Sequence, residues 1–285
     1  MKKLLTLGLT ASIFLGQSKI LGNLYLCLKK AIQENDYESA KFWIEYLNVN
    51  NYNGYRGKQT ALHLSAKNGR YAISKLLLAK GANVNMLTIT KMSPLHFAIE
   101  SKNQKLAKLF IFNNANLTQK DDLQDTPLHY CAKHGCNKTI ELLSQRKVKN
   151  KININAKNNQ GHTPLHEAVL NGNIKTIKLL LEKGANANAQ DKFGETPLHI
   201  AVFKGYIKIA KLLYTYKANI NTKDSKKRTP LHYAITRDYS EIFKFLFSKG
   251  ANPKIKDNNG GTPMSYISKD NTPKIYNYLY VREKK

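Results

Sequence analysis

The sequence predicts an all-α solenoid built from stacked helix–turn–helix units, and three observations predict it. The first is a tetrapeptide that returns along most of the chain. It reads Thr60-Ala61-Leu62-His63, Ser93-Pro94-Leu95-His96, Thr126-Pro127-Leu128-His129, Thr163-Pro164-Leu165-His166, Thr196-Pro197-Leu198-His199 and Thr229-Pro230-Leu231-His232, with a decayed copy at Thr262-Pro263-Met264. The first residues of these copies lie 33, 33, 37, 33, 33 and 33 positions apart. The second is an element in the same phase: Lys80-Gly81-Ala82-Asn83, Lys183-Gly184-Ala185-Asn186 and Lys249-Gly250-Ala251-Asn252, with looser copies at Asn113-Asn114-Ala115-Asn116 and Tyr216-Lys217-Ala218-Asn219. The third is apolar residues at helical spacing between the two. A period of this length marks a stack of small units, none of which buries its apolar face alone.

One unit shows what each part does. Thr163 is placed to cap a helix through its side-chain oxygen. Pro164 follows at the first helical position, where its missing N–H costs nothing. Leu165, Ala168 and Val169 give this inner helix an apolar face, and Gly172 ends it in a left-handed conformation. Ile174, Ile177, Leu180 and Leu181 define a second helix, which stops at Gly184. Residues 185–191 then run extended into a turn around Gly194, and the cycle restarts. The 37-residue interval implies a four-residue insertion, placed within Arg146-Lys147-Val148-Lys149-Asn150-Lys151. The second repeat departs from the pattern, with Lys91 for the turn glycine and Lys102 for the helix-ending glycine.

The 33-residue period with T-P-L-H and G-A-N closely resembles the ankyrin repeat, over residues 57–280. The resemblance implies L-shaped units in a curved solenoid, about six full repeats over 57–257, starting near 57, 90, 122, 158, 192 and 225, plus degenerate caps. It also implies a concave groove of hairpin tips and inner helices, which in this family usually binds proteins. Six of the eight histidines, His63, His96, His129, His166, His199 and His232, hold one repeat position. They read as turn-bracing hydrogen-bonding groups, since no second ligand sits at metal-binding spacing. No metal and no cofactor is expected.

The ends differ from the middle. Lys2 and Lys3 precede an uncharged run from Leu4 to Leu15 and then Gly16-Gln17-Ser18, the layout of a signal peptide over residues 1–20. The run is shorter than a transmembrane helix needs, and no other window reaches that length. An apolar helix packed on the first repeat is the alternative. Residues 21–56 read as an N-terminal cap of two helices around Asn35-Asp36. Residues 258–285 read as a degenerate C-terminal cap and tail, with Tyr276, Tyr278 and Tyr280 over the last apolar layer.

Charge sets the partner question. Lys and Arg number 46 against 19 Asp and Glu, a formal +27, and six of the 46 are Arg. Abundant Asn and Ile accompany the lysines, a mixture that AT-rich codons encode, so compositional drift stands beside attraction to acidic partners. Cys27, Cys131 and Cys136 are an odd count without metal spacing, which argues against a disulfide framework. Cys131 and Cys136 read as small core residues. No P-loop, G-x-S-x-G or H-E-x-x-H is present, so no enzyme is predicted.

The predicted function is a monomeric binding module for a protein with an acidic surface. With the signal peptide, the sequence suggests an exported bacterial protein that meets a host target; a cytoplasmic scaffold is the alternative. Nucleic acid, supported by net charge alone, is the alternative partner. The last two full repeats carry the candidate contact residues: Lys192, Phe193 and Glu195 on one hairpin, Lys226, Lys227 and Arg228 on the next, and Phe203, Lys204 and Arg237 at the ends of the inner helices. An aromatic centre within a basic rim suits a binding hot spot.

Overall fold

A computed structural model describes residues 17–51, 58–145 and 152–281, with side chains described from Leu24 to Tyr280. The insertion at 146–151 lies outside the described residues. So does most of the signal-peptide reading, apart from Gln17–Ile20, which form the start of the first helix. The described residues hold fifteen α-helices, one 3-10 turn, one π turn and no strand.

The chain divides into two compact units, 1–122 and 123–285. In the first, α1 (Gln17–Glu34), α3 (Ala61–Lys67) and α5 (Pro94–Glu100) pack in series as an inner layer. Helices α2 (Tyr37–Tyr46), α4 (Tyr71–Ala79) and α6 (Gln104–Phe112) form the outer layer. In the second unit the inner layer is α7 (Pro127–His134), α9 (Pro164–Leu170), α11 (Pro197–Phe203) and α13 (Pro230–Thr236). The outer layer is α8 (Asn137–Leu143), α10 (Ile174–Glu182), α12 (Ile207–Thr215) and α14 (Ser240–Ser248). A 3-10 turn (Pro263–Tyr266) closes over α13, and α15 (Pro273–Tyr276) closes over α14.

Each inner helix starts the same way. The side chain of Thr60, Ser93, Thr126, Thr163, Thr196 or Thr229 takes the N–H of the histidine three residues on, and that histidine's Nδ1 takes the cap residue's own N–H, a reciprocal capping box. The backbone bonds to Nδ1 measure 3.0–3.1 Å. A nitrogen that accepts leaves the ring proton on Nε2. Nε2 of His63, His129, His166, His199 and His232 then donates to a carbonyl of the following hairpin, on Met92, His162, Glu195, Arg228 and Gly261, at 3.0–3.3 Å. The repeated histidine thus starts its own helix and fastens the next repeat. Burial pushes His63, His166 and His199 down to about 4, which keeps them neutral.

A second ladder runs along the loops between outer helix and hairpin. Oδ1 of Asn50, Asn85, Asn155, Asn188 and Asn221 accepts the N–H of Asn83, Asn116, Asn186, Asn219 and Asn252, at 2.6–2.8 Å. The Asn-rich composition therefore does structural work, which its reading as codon bias did not foresee. Backbone conformation repeats as well. The turn position is left-handed at Lys91, Gln124, Gly161, Gly194, Lys227 and Gly260 alike. Lys91 and Lys102 hold φ of 57° and 55°, so the second repeat keeps the glycine conformation without the glycine.

The C-terminal cap corrects one expectation. Ile275 is the fully buried residue that covers the last layer, whereas Tyr278 and Tyr280 are exposed. Tyr278 meets the edge of Phe243, with ring centroids 6.3 Å apart. Cys131 and Cys136 are buried, as their sequence context predicts.

Candidate functional site

The hairpins of the second unit share one local device. An Asp or Asn at the turn start accepts the N–H groups two and four residues ahead through a single Oδ1. Asn158 binds Gln160 and His162, Asp191 binds Phe193 and Glu195, Asp224 binds Lys226 and Arg228, and Asp257 binds Asn259 and Gly261, all at 2.8–3.0 Å. Successive tips are joined by a backbone bond, as from Lys192 N–H to Gln160 O at 3.0 Å and Ser225 N–H to Phe193 O at 2.8 Å. In the three Asp hairpins the other carboxylate oxygen meets a side chain of the groove.

At Asp224 that oxygen receives Arg228 Nε at 2.9 Å, Arg228 Nη2 at 2.8 Å and the Tyr233 hydroxyl at 2.8 Å. The Tyr233 hydroxyl also lies 2.5 Å from Oε1 of Glu195. Burial disfavours charge on Asp224, but the bonds from Tyr233 and Arg228 outweigh it and hold its pKa below the usual range. Burial, with Glu195 and Asp224 alongside, pushes the Tyr233 phenol far up, so it stays a neutral donor.

At Asp191 the oxygen faces His162 instead, Nε2 to Oδ2 at 3.5 Å, while His162 Nδ1 lies 3.0 Å from Oε1 of Glu167. The His162 ring stacks on that of His166, 5.5 Å apart and 8° from parallel. Burial works against charging His162, yet Glu167 and Asp191 together raise its pKa.

The predicted contact residues fall into two groups. Lys192, Phe193, Phe203, Lys204, Lys226, Lys227 and Arg237 are exposed. Phe193 is 58% and Phe203 40% exposed, so both present apolar surface to solvent, Phe203 with part of its ring packed. The Arg237 guanidinium lies 4.1 Å from the Phe203 ring centroid, and Phe203 meets Tyr233 edge-on at 6.0 Å. Glu195 and Arg228 are only half-exposed and are held in the Tyr233–Asp224 network. The sequence reading passed over Asp224 and Tyr233. Tyr233 stands 38 positions from Glu195, so only the stacking register joins them. Beyond Tyr233 lies a cavity of about 270 Å³ that Tyr266, Lys226 and His232 also line. That volume suits a side chain rather than a cofactor. No group of three or more His, Cys, Asp or Glu able to hold a metal occurs among the described residues.

The arrangement defines a class: a helical-repeat solenoid whose hairpins and inner helices present an exposed, partly aromatic surface. The sequence model described as ankyrin repeats (three copies) matches residues 28–121, 103–191 and 183–257. The chain belongs to the ankyrin-repeat family, whose repeats generally mediate protein–protein interaction. It is similar to the crystal structure of the human ASB11 ankyrin repeat domain, with 26% identity and a TM-score of 0.69 over 79% of this chain and 98% of that one. No curated protein matches it in sequence.

Proposed function

We propose that the groove of the second unit binds a protein partner whose surface is acidic around an apolar centre. One observation carries this reading. The hairpin acids Asp191, Asp224 and Asp257 have their oxygens directed to backbone N–H groups, His162, Arg228, Tyr233 and Tyr266, while Lys192, Lys204, Lys226 and Lys227 form no ion pair among the described residues. The groove therefore offers its cations to a partner and keeps its anions for itself, with Phe193 and Phe203 between the cations. Such a surface favours association through electrostatic steering and a desolvated aromatic contact.

The protein acts in this reading by binding and not by catalysis, as a monomer. Residues 1–20 act as an export signal, and the partner is a host protein met after export. What supports the export reading is the basic start, the uncharged run and the small residues before Lys19. N-terminal sequencing of the mature protein tests it: a start at Met1 overturns export by cleavage.

The binding experiment is a pull-down from host lysate with wild type and Phe193→Ala/Phe203→Ala, folding matched by circular dichroism. A protein retained by wild type and lost by the variant is the expected result. Retention unchanged by the variant removes this site. Capture of nuclease-sensitive material alone replaces the protein partner with nucleic acid.

A further inference from the structure

The hairpin surface is not where positive charge is least opposed. On the opposite side of each repeat, α10, α12 and α14 with the residues that end them carry eight lysines, Lys175, Lys178, Lys183, Lys208, Lys211, Lys217, Lys244 and Lys249, against two acids, Glu182 and Glu241. The lysines stack in register. Lys175 and Lys208 share one position of the repeat, and Lys178, Lys211 and Lys244 share the next turn. Columns of like charge repel, and among the described residues the ion pairs on these helices are Lys178–Glu182 at 3.8 Å and Lys244–Glu241 at 2.6 Å, with Glu241 also facing Lys211.

Apolar groups lie among these cations. Lys211 sits over the Phe245 ring at 5.9 Å, Lys249 over Tyr214 at 5.9 Å and Lys244 over Tyr278 at 4.7 Å. Ile174 is 43% and Phe247 47% exposed on the same helices. The array is three helices wide, two lysines deep on α10 and α12 and one on α14, where Glu241 holds the position of Lys175 and Lys208, and none of these helices carries an arginine. A line of phosphates needs a single cationic track, and base reading favours arginine. A plane of anionic headgroups matches a two-dimensional array of lysines, and its interfacial layer accepts Phe, Tyr and Ile side chains.

We propose that the outer-helix face of the second unit docks on an anionic phospholipid bilayer, leaving the hairpin groove turned away for its own partner. The two faces belong to opposite sides of the same repeats, so the lipid contact does not depend on the groove reading. Lysine attracts an anionic leaflet only within about a Debye length, so contact is needed and salt dissolves it.

The experiment is co-sedimentation with phosphatidylcholine vesicles with and without phosphatidylserine. Two variants carry the same change in net charge: Lys175→Glu/Lys178→Glu/Lys208→Glu/Lys211→Glu on the outer helices, and Lys192→Glu/Lys204→Glu/Lys226→Glu/Lys227→Glu on the groove. A Lys→Gln set at the four outer positions covers the case that the outer glutamates disturb folding. Wild type is expected to partition roughly a hundredfold more strongly onto phosphatidylserine vesicles than onto phosphatidylcholine alone. The outer variants lose this and the groove variant keeps most of it. Equal losses in the two quadruple variants overturn the proposal in favour of bulk net charge. Absence of partition by wild type overturns it outright. Tighter binding to mixed-sequence duplex DNA than to vesicles at the same salt, lost in the outer variants, assigns the face to nucleic acid instead.

Discussion

The hairpin that begins at Asp191 and the one that begins at Asp224 have the same backbone and different chemistry. In both, Oδ1 holds the N–H groups two and four residues on, at 2.8–2.9 Å. At Asp224 the second oxygen meets Arg228, which stays charged at any pH a protein survives. At Asp191 it meets His162, which titrates. The turn position differs as well, with Gly194 at φ 72° in the first hairpin and Lys227 at φ 58° in the second. The comparison separates the part of a repeat that makes the fold from the part that varies without disturbing it. One carboxylate oxygen belongs to each.

Substitution of the two acids gives the largest contrast. Asp224→Ala strands two backbone N–H groups, removes the carboxylate from the Arg228 guanidinium and leaves the Tyr233 hydroxyl with Glu195, and is expected to cost about 3 kcal/mol. Asp191→Ala strands the equivalent backbone pair and leaves His162 with Glu167 alone, for about 2 kcal/mol. Chemical denaturation measures both, and equal costs would mean that Arg228 and Tyr233 add nothing beyond the turn. Gly194→Ala comes next. A Cβ there would lie 2.8 Å from the Ser225 nitrogen. Lys227 shows that the position tolerates a Cβ after a backbone shift, so the expected loss is about 1–2 kcal/mol. A thermal midpoint unchanged from wild type would show that the tip is free to move.

The titrating hairpin predicts a pH profile with two opposed limbs. His63, His166 and His199 have depressed pKa values in the fold, about 4 against an ordinary 6.5. Their contribution is complete above 6.5 and is lost as pH falls toward 4. His162 has a raised value, so its contribution is complete below 6.5 and is lost as pH rises through that raised value. His162→Gln should therefore flatten only the alkaline limb of a plot of melting temperature against pH. A slope there that survives the substitution would assign the effect elsewhere. The smallest effect is a gain: Lys227→Gly removes a Cβ from a left-handed position and is expected to stabilise by about 0.5–1 kcal/mol, less if the Lys227 stem packs on its surroundings.

Much of this was legible in the residue string. The capping threonine, the proline after it and the glycine at the helix end follow from local chemistry, so spacing alone located them. The bracing role of the histidines followed from their identical repeat position, although their second bond, to the next hairpin, needed the stack. What could not be read was contact between positions about one period apart. Glu195 and Arg228 looked like rim charges because their partner Tyr233 reads as one more helix residue. The Glu167–His162–Asp191 cluster hides likewise, since His162 resembles a tip residue and Asp191 a turn former. Asn50, Asn85 and Asn188 were lost in an Asn-rich background, where composition gives no sign that each braces its neighbour.

The histidine bonds give the stack a grain. Through them the repeats that begin at Thr60, Thr126, Thr163, Thr196 and Thr229 each reach forward to the hairpin that follows. At Ser265, where the tetrapeptide has decayed, no imidazole remains to reach onward, and the inner helix shrinks to the turn Pro263–Tyr266. The two ends of the second unit are thus unlike in what they can lose. Its last segment is held by His232 through Gly261, and holds back through Asn258 to the Lys226 and Ser225 carbonyls. An interior repeat cannot leave without letting go of its successor. The last full repeat is backed by the short turn Pro263–Tyr266 and the one-turn α15, so opening of this unit is expected to start at the C-terminal end, and amide exchange should rank α13 before α11 and α11 before α9.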